Sequence, residues 1–395
     1  MPDELSPGAG APPAGPAAAD SSLPPAPPAA PPVSESEAPA GGERLPRRPS
    51  WLRALLVSLL VIAAGSALGA AGYHYERTYV VRAPEMVRTS DGWRIVGRQG
   101  RQFSGLGLNG PRLLWQNGPS IEYADLDEGW VRLLGPGAGM SATWDPAIGE
   151  RYAIWFEAER PQSIAASAVA YDTRSGRRWT VAEVGSVYSY PAISGDVAVW
   201  CSAQALASPA VSGVRIGGGE TFPVAEGYGA PVVSGGLVVW ATSERGPFAA
   251  RELSGGGSWP VSARLSRDPL TAIALAGRTL VWGQASDQEA SGVVAAANVD
   301  GGDTRTLAAG ITGLAGPAFD GTTVVWAEED AAAVGAAPPG AQRYRVMGRR
   351  LDGGPAFVVA EVEGSVTEVA VSGSAAAWIV SAGGSESIVT KELPR

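Results

Sequence analysis

One histidine (His74), one cysteine (Cys201) and one lysine (Lys391) stand in 395 residues. A lone cysteine forbids an intrachain disulfide, and with a lone histidine no His/Cys metal site can be assembled. His74 lies next to an apolar run, outside the repeats described below, as a polar flank. Catalysis by a nucleophile–histidine couple therefore has no base in the repeat region. Positive charge is nearly all arginine and the net charge is −9: −3 in residues 1–50, +1 in 51–75 and −7 in the remainder. No block has a cationic excess, which argues against a nucleic-acid partner. Several catalytic signatures are missing too. There is no G-x-S-x-G elbow and no S-x-D-x-G-x-x-W Asp box. VRIGGGE (Val214–Glu220) lacks the lysine and the strand-to-helix setting of a phosphate loop, and SGGGSW (Ser254–Trp259) lacks the aspartate and reads as a hairpin turn.

Residues 1–50 are rich in Pro and Ala, with scattered acids. They hold too little apolar surface to offset ordering entropy, so a disordered tail with polyproline II character is expected, either a spacer or a Pro-rich ligand. Residues 51–73 follow as a transmembrane signal-anchor helix. Ala54–Tyr73 holds 20 uncharged residues, which at about 1.5 Å per residue span a hydrocarbon core of roughly 30 Å. Trp51 on one side and Tyr73 and Tyr75 on the other suit the two interfaces, and Arg44, Arg47, Arg48 and Arg53 precede the span. The expected topology is N-terminus cytoplasmic and the rest of the chain extracytoplasmic, in the cell membrane. The competing reading is a cleaved signal peptide with small residues near Ala67–Ala71. Residues 74–85 form a juxtamembrane linker.

Residues 86–395 carry seven copies of one pattern, each centred on a tryptophan: Trp115, Trp155, Trp200, Trp240, Trp282, Trp326 and Trp378. A glycine stands five residues before six of them, and Gly149 stands six before Trp155. The intervals are 40, 45, 40, 42, 44 and 52 residues. That period with short strands indicates an all-β fold, a seven-bladed β-propeller, with six blades as the alternative. The tryptophan strands RLLW, VAVW, LVVW, TLVW and TVVW are apolar on both faces, as a middle strand between stacked blades must be. Turns such as DLDEG (Asp125–Gly129), DTRSG (Asp172–Gly176), DGGD (Asp300–Asp303) and DGGP (Asp352–Pro355) mark hairpins. The tryptophans are expected to pack between blades, the turn aspartates to stabilise turns without binding calcium, and Cys201 to be a buried thiol. The seventh copy has only three strands, so Trp93–Arg98 should pair with the strand around Ser387–Leu393 and close the ring.

PAISGDVAVW (Pro191–Trp200) and YDTRSG (Tyr171–Gly176) resemble the TolB-like propeller repeat, and the resemblance runs from about residue 86 to the end. It implies a non-enzymatic recognition module outside the membrane. Seven copies and an anchor depart from the TolB protein itself, so that protein's partner does not carry over. The expected function is a membrane-anchored extracytoplasmic module for protein interaction, ligand binding or scaffolding, not an enzyme. It should need no cofactor or metal, and its partner should be a protein or a cell-envelope ligand. The alternative is a carbohydrate-active propeller enzyme, a glycoside hydrolase or lyase, using carboxylates in the central funnel. Glu328, Glu329 and Asp330 are candidates for it, though a solvated loop explains them as well. An acidic pair in the funnel would favour that alternative. The insertion Ala327–Gln342 is a candidate contact loop.

Overall fold

Turn chemistry recurring at fixed offsets folds each repeat into an antiparallel meander. In the second repeat Asp172 Oδ1 accepts the Arg174 and Ser175 N–H groups at 2.9 and 3.3 Å, and Gly176 closes the turn at φ 71°. In the first, Asp125 Oδ1 accepts from Asp127 and Glu128, both at 3.1 Å, before Gly129 at φ 70°. Side-chain acceptance followed by a left-handed glycine is what the hairpin requires. Asp300 departs from this expectation: Asn298 caps that turn at 2.8 Å, and Asp300 pairs instead with Arg278.

The computed structural model describes residues 84–97, 102–136, 140, 142–160, 165–203, 208–227, 229–243, 246–263, 265, 269–285, 292–330 and 342–394. The expected tail, the membrane span and His74 lie outside them. Seven sheets form the propeller. Blade 1 holds Phe103–Asn109, Arg112–Asn117, Ser120–Asp125 and Trp130–Gly135. Blade 2 holds Ala142–Ile148, Tyr152–Ala158, Ala166–Asp172 and Arg178–Val184. In blade 3 the first strand is split into Ser186–Val187 and Ala192–Ser194, followed by Val197–Ala203, Ala210–Arg215 and Glu220–Glu226. Blade 4 holds Ala230–Ser234, Leu237–Ala241, Phe248–Glu252 and Trp259–Val261. Blade 5 holds Leu270–Ala276, Thr279–Gln284, Gly292–Asn298 and Arg305–Ile311. Blade 6 holds Ala315–Phe319, Thr323–Glu329, Arg343–Arg350 and Phe357–Glu363. Blade 7 holds Ser365–Ser372, Ala375–Ala382 and Ser385–Glu392, and takes its fourth strand, Gly92–Val96, from the start of the domain.

That fourth strand pairs Trp93 with Thr390, Ile95 with Ile388 and Val96 with Ser387, which is the closure the three-stranded last repeat predicts. A fifth strand, Glu85–Arg88, pairs outside it. First strands of successive blades touch, and that of blade 7 touches that of blade 1, so they form the inner ring around the axis.

Seven apolar clusters among the described residues match the seven joints between blades, and each tryptophan sits in the cluster its blade shares with the preceding one. Phe156 of blade 2 meets Trp200 of blade 3 edge-on at 6.0 Å, and Phe248 of blade 4 meets Trp282 of blade 5 at 5.5 Å. Trp240 is 4% exposed and the other six repeat tryptophans are fully buried. The Ser-Gly pair before the tryptophan strand also acquires a purpose. Ser194, Ser234 and Ser372 accept the turn-glycine N–H of the next blade, Gly235, Gly277 and Gly110, at 3.2, 2.8 and 2.9 Å.

The meander sorts connections between two faces. Turns between first and second strands, and between third and fourth, lie on one face; all other connections lie on the opposite face. The insertion Ala327–Gln342 lies between the second and third strands of blade 6, whose ends Glu329 and Arg343 are on that opposite face. Its residues 331–341 lie outside the described ones.

Candidate functional site

The inner strand of blade 4 pairs in unbroken register past Trp240, but most inner strands do not run straight past the tryptophan layer. Their pairing slips between Ser104 and Gly107 in blade 1, Trp144 and Ala147 in blade 2, Leu270 and Ala272 in blade 5, Ala315 and Ala318 in blade 6, and Val366 and Glu368 in blade 7. Each slip lies within two residues of the tryptophan on the neighbouring strand. In blade 3, Tyr188–Pro191 separates the two short pieces of the inner strand altogether. Bulges re-aim side chains, and one repeat position, ten residues before the tryptophan, falls on the inner strand of each blade or, in blade 3, in its break. Its occupants are Gly105, Asp145, Tyr190, Ala230, Ala272, Gly316 and Glu368. Four are small and three carry chemistry.

The three interact although they come from blades 2, 3 and 7. Glu368 is tethered by blade 1: its Oε1 accepts the Gly105 N–H at 3.0 Å and its Oε2 the Leu106 N–H at 2.7 Å. Burial pushes the Glu368 carboxyl up, against those two amides, and the Glu386 charge adds to the rise. Asp145 has φ 57° and is the only described non-glycine residue in the left-handed region, a strained conformation that collects at functional sites. Gln116 Oε1 accepts its N–H at 3.2 Å, and Gln116 Nε2 in turn donates to Gly118 O at 2.8 Å. A Cβ on Gly105 would stand 2.4 Å from Pro146 Cδ, so only glycine lets the Asp145–Pro146 bulge sit there. Burial, and then the Glu368 charge, push the Asp145 carboxyl up to about 6. Tyr190 is 58% exposed. Its hydroxyl is pushed up by desolvation, with the charges of Asp145 and Glu368 adding. Among the described residues no Lys or Arg ion-pairs with either carboxylate.

The candidates taken from sequence fall elsewhere. Glu328 accepts from the Trp326 indole at 3.2 Å and from Arg345 at 2.8 Å, and Asp330 lies 3.8 Å from Arg345. Glu329 pairs through its backbone with Tyr344 and Thr312. Glu328 and Glu329 end the tryptophan strand of blade 6 and Asp330 follows it, with Glu328 and Asp330 against Arg345. Cys201 is fully buried and its thiol is pushed up by burial. VRIGGGE and SGGGSW are hairpin turns between outer strands. A groove of about 680 Å³ opens on the glycine-turn face along the closing seam, beside the exposed Asp91–Lys391 ion pair at 3.0 Å, far from the carboxylate pair. No group of three or more His, Cys, Asp or Glu among the described residues could hold a metal. Asp145, Tyr190 and Glu368 lie outside the tryptophan and glycine positions that define the repeat, so no motif marks them. The departure of Asp145, Tyr190 and Glu368 from Gly or Ala at one register was the available signal.

No family model matches the chain, and no curated protein matches it. Solved structures do. An oligogalacturonate lyase in complex with manganese is 13% identical, with 79% of this chain and 96% of that chain covered and a TM-score of 0.54. The β-propeller domain of the trilobed protease from Pyrococcus furiosus is 8% identical, with 75% and 97% covered and a TM-score of 0.54. TolB from Acinetobacter baumannii is 10% identical, with 78% and 80% covered and a TM-score of 0.42, too low to support the TolB-like assignment beyond a propeller. At these identities the likeness is one of fold. It nevertheless corrects the expectation that the domain is not an enzyme. The fold is shared with a lyase, and the missing histidine removes only histidine-based chemistry, whereas two half-buried, interacting carboxyl groups, Asp145 and Glu368, stand on inner strands. What holds is a β-propeller scaffold, a fold consistent with ligand binding or protein interaction.

Proposed function

We propose that the channel mouth is the active site of a carbohydrate-active enzyme, and that the reaction is glycoside hydrolysis. The observation that carries this is the single register at which Asp145 and Glu368 interact beside an exposed Tyr190, while the other blades carry Gly105, Ala230, Ala272 and Gly316 there. Two carboxyl groups flanking a bond suffice for hydrolysis, one as acid and one as base or nucleophile. Glu368, held by two N–H donors, presents a fixed acceptor. Asp145, with its carboxyl raised to about 6, holds a proton to donate to a leaving oxygen. Tyr190 offers an aromatic platform for a sugar ring. A hydrolase fits better than a lyase acting on uronates, because the pair has no described cation to neutralise an anionic sugar.

The test is turnover of a library of neutral glycans by the purified chain. Hydrolysis lost by more than about a hundredfold in both Asp145→Asn and Glu368→Gln supports the reading. No turnover of any glycan, or turnover indifferent to both substitutions, discards it. We further propose that the enzyme is anchored by residues 51–73 with its propeller extracytoplasmic, on the strength of the uncharged span and the arginines before it.

A further inference from the structure

Tyr188 and Tyr190 are the only exposed aromatic side chains among the described residues, at 46% and 58%. Both lie in the break of the blade 3 inner strand, with Ser189 between them. A shift of register puts them there. In blades 1, 2, 5 and 7 the residue twelve before the tryptophan pairs with the residue two past it: Phe103 with Asn117, Thr143 with Glu157, Leu270 with Gln284 and Val366 with Val380. Phe103, Thr143 and Val366 are buried in that position. In blade 3 the same pairing falls one residue earlier, on Val187 and Ser202, and Val187 packs into the joint between blades 2 and 3. A slip of one residue turns a side chain to the other face of its strand, so Tyr188 is turned out of that joint. The break is nonetheless pinned. The Tyr188 N–H donates to Cys201 O at 2.8 Å, and Ser189 Oγ accepts the Cys201 N–H at 2.9 Å. Cys201 follows Trp200 as Ile379, the partner of Glu368, follows Trp378, so Tyr188 and Glu368 stand at one level of the inner ring. Blades 4, 5 and 6 carry only Ala230, Ala272 and Ala315 at that level.

We infer that Tyr188 and Tyr190 together form a platform for consecutive sugar rings, and that the substrate is a neutral β-1,4-linked oligosaccharide of glucose or xylose. The inference rests on the glycan reading of this site. Tyrosine rings pack against apolar C–H faces and keep their hydroxyls wet. A pyranose whose substituents are all equatorial presents such a face in every unit of a β-1,4-linked chain, whereas an axial substituent interrupts it. Two exposed rings one residue apart on a pinned backbone offer area to more than one unit of such a chain. Tyr190 serves the unit beside the carboxyl groups, and Tyr188 selects for a further unit, which makes it a residue of specificity.

Calorimetric titration of the full-length chain with cellohexaose and with xylohexaose tests it, in a detergent without a sugar headgroup and in the Asp145→Asn background if the probe is cleaved. At least one hexasaccharide should bind. Tyr188→Ala should weaken that binding by up to about tenfold, and Tyr188→Phe should retain it, because the contact is made by the ring. Tm should not change in either variant, since the side chain is exposed and the fixed contact of Tyr188 is through its backbone. Tyr190→Ala should weaken binding as well, and decides the matter if Tyr188→Ala fails to fold. Binding of neither hexasaccharide, an unaltered affinity in Tyr188→Ala, or equal losses in Tyr188→Ala and Tyr188→Phe overturns the platform. Hydrolysis fails separately. A hexasaccharide held through Tyr188 but never cleaved supports the platform and discards the hydrolase, and cleavage indifferent to Tyr188→Ala does the reverse.

Discussion

Gln116 of blade 1 holds Asp145 of blade 2 in the left-handed region, accepting its N–H through Oε1 at 3.2 Å. The amide is itself oriented by Gly118 O, so the strain at Asp145 is maintained from the adjacent blade. Gln116→Ala frees that N–H and lets the Asp145 backbone relax. The expected result is a high-pH limb of the pH–rate profile displaced toward the ordinary carboxylate range, with kcat down by about tenfold and Tm lowered by only a few degrees. An unchanged profile would show that Gln116 does not position the acid.

The raised carboxyl of Asp145 makes a stability prediction of its own. Its folded-state pKa, about 6, lies above the unfolded value, so its ionisation destabilises the folded chain as pH rises through about 6. Asparagine also tolerates left-handed backbone. Asp145→Asn is therefore expected to raise Tm at pH 7.5 by a few degrees, after discount for partial hydration, and to leave it unchanged at pH 4. Thermal melts at the two pH values measure this directly.

Asp172 behaves in the opposite sense. The Arg151 hydrogen bond, with the Arg174 and Ser175 N–H groups, holds its carboxyl down to about 2 despite burial. That contribution is present above the ordinary carboxylate range and is lost as pH falls toward 2. Arg151→Ala should move the acid-unfolding midpoint to higher pH and lower Tm at pH 7 by about 1 °C, since the arginine is half-exposed. An acid titration followed by circular dichroism reads the shift.

Trp240 fills the joint between blades 3 and 4 among Val199, Val211 and Val238. Trp240→Ala should cost on the order of 3–5 kcal/mol through the cavity it leaves. Chemical denaturation of the two proteins gives the difference. Loss of ligand binding at unchanged stability would instead make the tryptophan part of a functional surface.

Protease added to intact cells should remove the propeller and spare the N-terminal tail. Recovery of a mature soluble form beginning near Ala70 would replace the anchor with a cleaved signal peptide.

Blade number, the tryptophan layers and the closing strand were legible in the sequence, because each repeats or completes a local pattern. A tryptophan on an apolar strand must be buried between sheets whichever blade it belongs to, and a three-stranded last repeat needs a fourth strand from somewhere. Asp125 and Asp172 likewise reveal their turns, since an Asx turn closes over a few consecutive residues. The extra strand Glu85–Arg88 lies outside the repeat pattern, at the end of the expected linker, and only its pairing with Trp93–Val96 reveals it.

The candidate site was decided by tertiary structure alone. Glu328, Glu329 and Asp330 stand together in sequence and drew attention for that reason, yet Glu328 and Asp330 lie against Arg345 and Glu329 pairs through its backbone at the end of a strand. Asp145 and Glu368 stand 223 positions apart, and neither belongs to a recognisable motif. Only the closing of the ring brings blades 7 and 2 to either side of blade 1 and sets both carboxyls at one level of one channel. Periodic packing can be read from a single chain because it is local and repeated. A site built from one residue in each of three blades depends on long-range closure, and so on the geometry of the whole ring.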